Sequence, residues 1–310
     1  MGFDAGRKHS SAPAFREGLV SIVTPTLHAA RFLRETVESV LSQTYHPIEY
    51  IVVDGGSCDD TGAIARGMSE RLTFLSAPGL NQAQAINYGF ARTAGEFFTF
   101  LNADDTLYPQ AIESAVAALG AAKTAPFVYA EGLHVDALGR PIGAYPSHPF
   151  SSEALRRECF ICQPATLIRA EAFMAAGGVD ESLETAFDYD LWIRLSAGGH
   201  PVRVNELWAT SRMHAENKSL QYRKLVYGEV FAMLQKHYEY VPFNWVHAYA
   251  GYLLEGKDYF FDSPSGSPRR TLLTLRLGLL ENRRHWLRFL REFAFEVSRL
   301  KHAAIRGEGA

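Results

Sequence analysis

The stretch FFTFLNADD, residues 97–105, sets a largely apolar run directly before a polar loop that ends in two carboxylates. A short apolar run that stops at a polar loop is typical of a strand buried inside a sheet. Parallel sheets of this kind are covered by helices, and their ligands bind beyond the carboxyl ends of the strands. The stretch therefore predicts an α/β fold that presents Asp104 and Asp105 to a ligand crevice.

Upstream of this stretch, extended and helical patterns alternate along the chain. The predicted strands cover residues 19–24, 48–53, 72–75 and 97–101. Apolar residues at helical spacing predict helices over residues 32–41 and 83–90, and Ser57 followed by Asp60 fits a capping box that opens another helix. The order β-α-β-α-β-α-β predicts a mostly parallel, Rossmann-like sheet flanked by helices.

Downstream, the patterns predict a mixed sheet and then a helical region. The predicted elements are a hairpin over residues 127–145, helices near 153–157 and 187–196, and an extended run over 201–213. After Asn217 the chain is mainly helical, with breaks at Pro242 and residues 262–268. We therefore predict three parts: a flexible tail at residues 1–17, an α/β domain at 18–220 and a helical C-terminal extension at 221–310.

Composition excludes some classes of protein. The chain has 310 residues and a net charge of -3, which gives no overall attraction for nucleic acid. Its three cysteines, Cys58, Cys159 and Cys162, are an odd number that suits a reducing compartment, and we interpret them as packed or partly exposed thiols. The N-terminal residues lack the apolar segment of a signal peptide, and no run of 18 apolar residues is present, so we expect cytoplasmic residence.

Polar residues follow three of the predicted strands. They are Thr24, Pro25 and Thr26 after the first, Asp54 after the second, and Asp104 and Asp105 after the fourth. Hard divalent cations that bridge phosphates are commonly held by one or two carboxylates, so the last pair favours a metal site. The chain has no glycine-rich dinucleotide loop and no P-loop, so bound phosphates would need such a metal. The alternatives are a solvated turn, or a helix cap, for Asp104 and Asp105 and a simple turn for Asp54.

Helix geometry separates two similar aspartates. Asp190 can pair with Arg194 one turn later, which explains it as an ordinary exposed residue. Asp188 instead shares a stripe with Leu191, Trp192 and Leu195, where a carboxylate is costly unless it borders a cleft. Asp188 is therefore the better functional candidate. A lone histidine, His214, ends the extended run, and an ordinary surface or core role remains open for it.

Taken together, these motifs resemble glycosyltransferase family 2, an inverting family with the GT-A fold. The similar segments are VSIVTPT (20–26), SVLSQTY (39–45), VVDGGS (52–57), QAINYGF (84–90), TAGE (93–96), FLNADD (100–105), QPAT (163–166), GGVDE (177–181), DYDLW (188–192) and RMH (212–214). The resemblance covers about residues 18–220. It implies a GT-A domain followed by the helical extension.

The resemblance also implies a site. The donor nucleotide would be bound by Thr24, Pro25, Thr26, Asp54, Gln84, Asn102, Ala103 and Asp104. A divalent metal ion, Mn²⁺ or Mg²⁺, would be held through Asp105, with Asp104 beside it and His214 near the metal or the diphosphate. Asp188 would be the catalytic base. Two departures stand out, because many members have acidic residues where this chain has Gly55 and Asn102.

The expected function is transfer of a hexose-type sugar, with inversion, from a UDP-, GDP- or dTDP-sugar to a hydroxyl of a glycan or lipid-linked glycan. Such a reaction would serve the synthesis of cell-surface polysaccharide or other glycans. No covalent intermediate is needed, so Cys58 should be dispensable. The rival hypothesis is a non-catalytic carbohydrate-binding or scaffolding protein that kept the fold, supported only by the departures at Gly55 and Asn102.

The C-terminal residues 269–306 interleave arginines with large apolar residues. This pattern predicts an amphipathic helical element with a basic face, which can lie on the inner face of an anionic membrane as a peripheral contact. Packing against the catalytic domain or against a second copy of the chain is the equally open alternative, given Glu281, Glu292 and Glu296.

Overall fold

The computed structural model describes residues 15–256 and 267–306. The chain forms two compact units. The first contains residues 15–150 and 161–213, and the second contains residues 151–160 together with the described residues from 214 onward. Only residues 15–17 of the predicted N-terminal tail are described, and Arg16 and Glu17 already belong to the first strand.

The first unit is built around a single sheet. Its strands are β1 (Arg16–Thr26), β2 (Ile48–Asp54), β3 (Leu72–Ser76), β4 (Gly95–Phe100), β5 (Thr106–Leu107), β6 (Phe127–Val135), β7 (Pro141–Ala144), β8 (Thr166–Arg169) and β9 (Val202–Arg212). The helices of the whole described chain are α1 (Leu33–Leu41), α2 (Thr61–Met68), α3 (Gln82–Phe90), α4 (Ala111–Ala121), α5 (Ser152–Arg157), α6 (Ala170–Ala175), α7 (Phe187–Ala197), α8 (Lys218–Gln221), α9 (Arg223–Tyr238), α10 (Phe243–Glu255), α11 (Pro268–Glu281) and α12 (Trp286–Arg306).

The sheet runs in the order β3-β2-β1-β4-β8-β6-β9-β5, with β7 paired to β6. Strands β3, β2, β1 and β4 are parallel to one another, whereas β8 is antiparallel to both β4 and β6. Residues 19–26 of β1 are all buried, as expected for a central strand covered on both faces. The predicted fold class, a mostly parallel mixed sheet flanked by helices, is confirmed.

Local differences from the predicted elements have physical causes. The hairpin β6–β7 is confirmed, but β8 and α6, which are four and six residues long, were not predicted. The predicted capping box at Ser57 is wrong. Helix α2 begins at Thr61, and the Asp59 carboxylate, not Ser57, accepts the Thr61 N–H at 3.1 Å.

The second unit is helical within the described residues, as the sequence pattern predicted. Its core is formed by apolar faces of several helices, including Phe243 and Val246 of α10 and Phe289 of α12. Pro242 precedes α10, in agreement with the predicted break, whereas the predicted break at 262–268 falls mostly outside the described residues. None of the described helices is long and apolar enough to cross a membrane.

Candidate active site

The carboxyl ends of β1, β2 and β4 lie side by side. In the parallel register Thr26 pairs with Asp54, and Val23 pairs with Phe100. The loop after β2 is tied to the end of β1, because the Gly55 N–H donates to the Thr26 carbonyl at 2.9 Å. The predicted convergence of polar loops at one edge of the sheet is therefore confirmed.

Thr26 and Asp54 are both buried at this edge, but of the two side chains only that of Asp54 is hydrogen-bonded within the described residues. The Asp54 carboxylate accepts hydrogen bonds from the N–H of Ser57 at 3.2 Å and from its hydroxyl. Thr26 is 6% exposed, and its Oγ1 has no hydrogen-bond partner within the described part of the chain. An unpaired buried hydroxyl costs about 1–3 kcal/mol, so a ligand atom at this edge would be stabilised by bonding to it. Thr24, by contrast, lies inside the sheet with its Oγ1 3.0 Å from the Tyr50 hydroxyl.

Asp105 anchors the loop that follows β4. Its side chain is 3% exposed, and its carboxylate accepts the Arg212 N–H at 2.9 Å and the Asn102 Nδ2 at 3.1 Å. The Arg212 side chain is equally buried, and its Nε donates to the Asp104 carbonyl at 2.8 Å while its guanidinium pairs with Glu35. Arg212 and Asn102 therefore hold in place the loop that carries both carboxylates.

The two carboxylates of this loop differ in exposure and in electrostatics. Asp104 is half-buried, whereas Asp105 is buried. Burial raises the pKa of Asp105 well above its usual range, the charge of Asp104 raises it further, and the hydrogen bonds from Arg212 and Asn102 partly oppose the rise. Two neighbouring negative charges are thus disfavoured, and a nearby cation would relieve the repulsion.

The donor set suits a hard cation such as Mg²⁺ or Mn²⁺, which prefers carboxylate oxygens. Among residues 15–256 and 267–302, no three His, Cys, Asp or Glu side chains are grouped so that they could hold a metal ion. Asp104 and Asp105 alone would leave most coordination positions to other oxygens. Magnesium sites are commonly completed in this way, by water and by substrate phosphates.

Asn102 connects the loop to two glutamines that the sequence analysis did not assign to the site. Its Oδ1 accepts from Gln82 Nε2 at 2.7 Å, and its Nδ2 lies 3.3 Å from Gln163 Oε1. Gln163 in turn donates to the Phe100 carbonyl at 2.6 Å. These partners are 20 and 61 residues away in the chain, so no local pattern could have indicated them.

Gln84 caps helix α3, and its contact with the donor stays a prediction. Its Oε1 accepts the Asn81 N–H at 3.0 Å, and its own N–H donates to Asn81 Oδ1 at 2.8 Å. This reciprocal pair is a capping box, which satisfies two N–H groups at the start of the helix. Gln82, two residues earlier, is the side chain of this helix that reaches Asn102.

Asp188 lies in the first turn of α7 and is half-buried. Burial raises the pKa of its carboxyl to about 6, although its Oδ1 accepts the Tyr189 N–H at 2.8 Å, which acts in the opposite direction. A carboxylate with a pKa near 6 is ionised at neutral pH and still has appreciable affinity for a proton. These are the properties of a general base.

The pKa of Cys162 is affected by both Asp105 and Asp188. The thiol is fully buried, and its pKa is raised first by burial and then by the negative charges of Asp105 and Asp188. Electrostatic effects of this kind fall off with distance, so both carboxylates lie near the same sulfur atom. Two carboxylates from distant parts of the chain thus act on the pKa of one buried thiol.

The sequence of this unit matches a known family. A family model described as "Glycosyl transferase family 2" matches residues 21–175, half of the chain. The chain belongs to glycosyl transferase family 2. The match includes Thr26, Asp54 and the loop with Asp104 and Asp105.

Individual relatives agree with this family. An uncharacterized glycosyltransferase of Rickettsia typhi is 31% identical over 204 residues, which are 63% of this chain and 64% of the relative. Chondroitin synthase of Escherichia coli is 28% identical over 246 residues, or 76% of this chain. The matched region spans only 36% of that synthase, so this chain corresponds to part of a longer protein there.

Solved structures show the same GT-A fold. S. aureus TarS 1-349 in complex with UDP-GlcNAc superposes with a TM-score of 0.57 and 13% identity, over 93% of this chain and 92% of the other. The mannosyltransferase PcManGT from Pyrobaculum calidifontis, in complex with GDP-Man and Mn²⁺, gives a TM-score of 0.56 and 17% identity, over 90% of each chain. At these identities the likeness establishes the fold.

Two departures from the family 2 pattern fit the local structure. A Cβ atom at Gly55 would lie 2.9 Å from the Leu80 carbonyl oxygen, so a larger residue would displace the backbone there. At the other position, Asn102 supplies an N–H donor to Asp105. An ionised aspartate there could not donate, and it would add a third negative charge beside Asp104 and Asp105.

Asp190 requires a correction. The predicted pair with Arg194 is present at 2.6 Å, but Asp190 is 1% exposed rather than on the surface. Arg194 also donates to the carbonyls of Ala176 and Gly178, at 2.6 and 2.7 Å. The pair therefore joins α7 to the loop after α6, which is a structural role in the interior.

His214 lies in the second unit. Its side chain is 9% exposed, and its Nδ1 accepts the Glu216 N–H at 3.3 Å. The backbone N–H of His214 donates to the Asn217 side chain. A role for His214 at the metal or the diphosphate stays a prediction.

Proposed function

We propose that this family 2 protein is a divalent-metal-dependent glycosyltransferase that moves a sugar, with inversion, from a nucleoside diphosphate sugar to an acceptor hydroxyl. The observation that carries the proposal is the pair of carboxylates, Asp104 and Asp105, in the loop after β4 at the carboxyl edge of the sheet, in a chain that matches the family 2 model. A general base and a diphosphate-binding loop must lie on one side of the sheet for a single displacement to occur between them.

The donor would bind at the carboxyl edge of the sheet. Thr26 and Asp54 are suited to the nucleoside, since Thr26 offers an unpaired hydroxyl and Asp54 an acceptor. Asn102 and Gln82 would contact the adjoining part of the donor from the loop after β4 and from α3. Structures of the same fold contain UDP-GlcNAc and GDP-Man, which supports a UDP- or GDP-sugar as the donor.

Asp104 and Asp105 would hold the cation. Asp104 is the more accessible of the two, and we assign it the direct contact, with Asp105 as a second ligand or as the support of the loop. A bound Mn²⁺ or Mg²⁺ supplies charge compensation for the departing nucleoside diphosphate. The Mn²⁺ in the mannosyltransferase structure supports this class of cofactor.

Asp188 would accept the proton of the acceptor hydroxyl as its oxygen attacks the anomeric carbon. The new bond forms between that oxygen and the anomeric carbon, while the bond from the anomeric carbon to the diphosphate oxygen breaks. The proton moves to the carboxylate of Asp188, whose pKa of about 6 suits this transfer. One displacement inverts the configuration, and no enzyme nucleophile is needed.

The acceptor would be the hydroxyl of a growing glycan or of a lipid-linked glycan. Relatives of this chain include a chondroitin synthase of Escherichia coli and a hyaluronan synthase of Pasteurella multocida, which supports a role in polysaccharide or glycan synthesis. A glycan hydroxyl is a weak acid, so its attack needs a base placed as Asp188 is.

The test is release of nucleoside diphosphate from a panel of UDP-, GDP- and dTDP-sugars, with and without candidate glycan acceptors. We expect turnover with one donor in Mn²⁺ or Mg²⁺ and none in excess chelator. Anomeric configuration of the product, read by NMR, checks inversion. Absence of turnover with every donor, together with donor binding that needs no metal, would support the non-catalytic rival instead.

The rival, a carbohydrate-binding or scaffolding protein, receives no specific support from the site. Its argument depended on Gly55 and Asn102, and both residues have local structural reasons. A scaffold also has no need of a half-buried carboxyl group such as that of Asp188.

A further inference from the structure

The outward face of α11 alternates basic and apolar side chains. Arg269, Leu272, Arg276 and Leu280 recur every three or four residues, a spacing that keeps them on one side of the helix. Leu272 is 69% exposed and Leu280 is 47% exposed, and both arginines are exposed. The buried residues of the same helix are Arg270, Thr274 and Gly278. Leu272 and Leu280 therefore lie outside the buried face of α11.

Helix α12 repeats this division. Phe289 is fully buried, whereas Trp286, Leu287 and Phe295 are 48%, 54% and 67% exposed. Large side chains with that exposure contribute little to the core of the unit. The exposed basic residues of α12 and of the turn before it are Arg283, Arg284, Arg288, Arg291, Arg299 and Lys301.

The acidic residues of α12 are turned away from the outward face. Glu296 is 2% exposed and pairs with Arg157, and Glu292 accepts a hydrogen bond from the Tyr240 hydroxyl. Residues 267–302 contain nine Arg and Lys and three Glu, a net charge of +6, although the whole chain carries -3. Glu281 is the one exposed carboxylate among residues 267–302, which have eight exposed Arg and Lys side chains, so the outward charge of this region is mainly positive.

We propose that this outward face binds an anionic membrane surface. We give the name basic-apolar surface to the exposed residues on one side of each helix, which are Arg269, Leu272, Arg276 and Leu280 of α11 and Leu287, Arg291 and Phe295 of α12. Apolar side chains that project between cations can enter the boundary between headgroups and acyl chains while the cations contact lipid phosphates. The proposal goes beyond the glycosyl transfer, and it would hold even if the chain transferred no sugar.

The composition of the surface favours a membrane over other occupants. A flexible polyanion would be attracted by the arginines but would gain nothing from exposed Leu272, Leu280 and Phe295. A second copy of the chain would bring the same positive charge against this one, and repulsion would oppose pairing through the surface. A membrane with acidic lipids matches both the charge and the apolar side chains.

The test is co-sedimentation of the full chain with vesicles. We expect binding to vesicles that contain one third phosphatidylglycerol in phosphatidylcholine, weak binding to phosphatidylcholine alone, and loss of binding as salt rises. The triple variant R269Q/R276Q/R291Q should lower the partition coefficient at least about tenfold, since each basic residue near the surface contributes. A second variant, L272S/L280S/F295S, should lower it similarly with every charge retained.

The matched control is K123Q/K224Q/K236Q, which removes three exposed lysines elsewhere and should bind as the wild type does. Thermal unfolding of each variant checks that the fold is intact. The proposal is overturned if the wild type does not bind at low salt, or if the control binds as poorly as the arginine variant. It is also overturned if the apolar variant binds normally, which indicates a general polyanion site, or if sedimentation velocity shows a dimer that the apolar variant dissociates.

Discussion

At the scale of single residues, Asp188 is the group on which turnover should depend most. We expect Asp188→Asn to lower kcat by about 10²- to 10⁴-fold, the usual contribution of a general base, while donor affinity is unchanged. Because the pKa of Asp188 is about 6, wild-type kcat/KM should fall as the pH drops below 6, where the carboxyl becomes protonated. A pH profile of both proteins with one donor and acceptor checks this, and a variant that retains wild-type kcat would exclude Asp188 as the base.

Stability provides the control for this variant. The pKa of Asp188 is higher in the folded chain than its ordinary value of 3.8, so the folded state binds the proton more tightly than the unfolded state does. That contribution to stability is present below pH 4 and is lost as the pH rises through 6. At pH 7 the free energy of unfolding of Asp188→Asn should therefore exceed that of the wild type by about 1–3 kcal/mol, which denaturant unfolding measures. A loss of activity in this variant would then not result from unfolding.

Asp190, two residues away, should behave in the opposite way. Asp190→Asn leaves the Arg194 guanidinium without its carboxylate, and breaking a buried ion pair costs about 3–5 kcal/mol. Arg194 is 20% exposed and keeps two carbonyl partners, so we expect about 2–3 kcal/mol. Urea unfolding measures this loss of stability. A loss below about 0.5 kcal/mol, the value for an exposed helical pair, would show that the interior role is wrong.

These two aspartates also show what helical phase can and cannot predict. The phase correctly set Asp188 beside the apolar stripe and paired Asp190 with Arg194. It could not predict that α7 is buried on nearly all sides, because that depends on neighbours distant in the chain. For the same reason the sequence did not indicate Gln82 and Gln163, because their hydrogen bonds to Asn102 join residues that are distant in the chain.

At the scale of elements, the two carboxylates of the loop after β4 should differ in role: Asp104 should act mainly in metal binding, whereas Asp105 should also support the structure of the loop. Asp104→Asn should weaken donor binding in Mn²⁺ at least about tenfold and leave stability nearly unchanged, since the side chain is only half-buried. Asp105→Ala should lose turnover and also about 1–3 kcal/mol of stability, because it leaves the Arg212 N–H and the Asn102 amide unpaired. Calorimetric titration and thermal unfolding of both variants check the division. Equal stability losses would contradict it.

The contact of α11 with α12 offers a prediction with an internal control. A Cβ atom at Gly278 would lie within 2.5 Å of three ring atoms of Phe289, so Gly278→Ala should destabilise the protein by about 1–3 kcal/mol through overpacking. Gly228 also lies inside a helix, but nothing is within 4 Å of its Cβ position. Gly228→Ala should stabilise by about 0.5–1 kcal/mol, and thermal unfolding that ranks the two variants the other way would refute this packing.

Element prediction succeeded where patterns were long. The alternation that gave β1, β2, β3 and β4 needed only a run of apolar residues and a following polar loop for each strand. It failed for β8, a four-residue strand inserted antiparallel between β4 and β6. It also misplaced the start of α2, since Ser57 was available to cap a helix but bonds to Asp54 instead.

At the scale of the whole molecule, charge decides how a diphosphate can be bound. The chain carries -3 overall, and its excess of basic residues in 267–302 belongs to the second unit, whereas the donor loops belong to the first. Asp54, Asp104 and Asp105 place carboxyl groups at the strand ends where the donor would bind, and the raised pKa of Asp105 reflects how unfavourable a further negative charge is there. A diphosphate placed there meets repulsion unless a cation intervenes.

We therefore expect donor binding to stabilise the protein only in the presence of a divalent cation. A nucleotide sugar at one hundred times its dissociation constant adds about 2.7 kcal/mol to the free energy of unfolding, which is readily seen as a shift in Tm. The shift should appear with Mn²⁺ or Mg²⁺ and disappear in excess chelator. In Asp104→Asn at the same donor concentration, a tenfold weaker affinity should leave no more than about 1.4 kcal/mol of it. Asp188→Asn should keep the full shift, because its carboxylate acts on the acceptor rather than on the diphosphate. If the donor stabilises the wild type equally in chelator, the repulsion at the strand ends is offset by protein groups alone, and the metal-dependent mechanism fails.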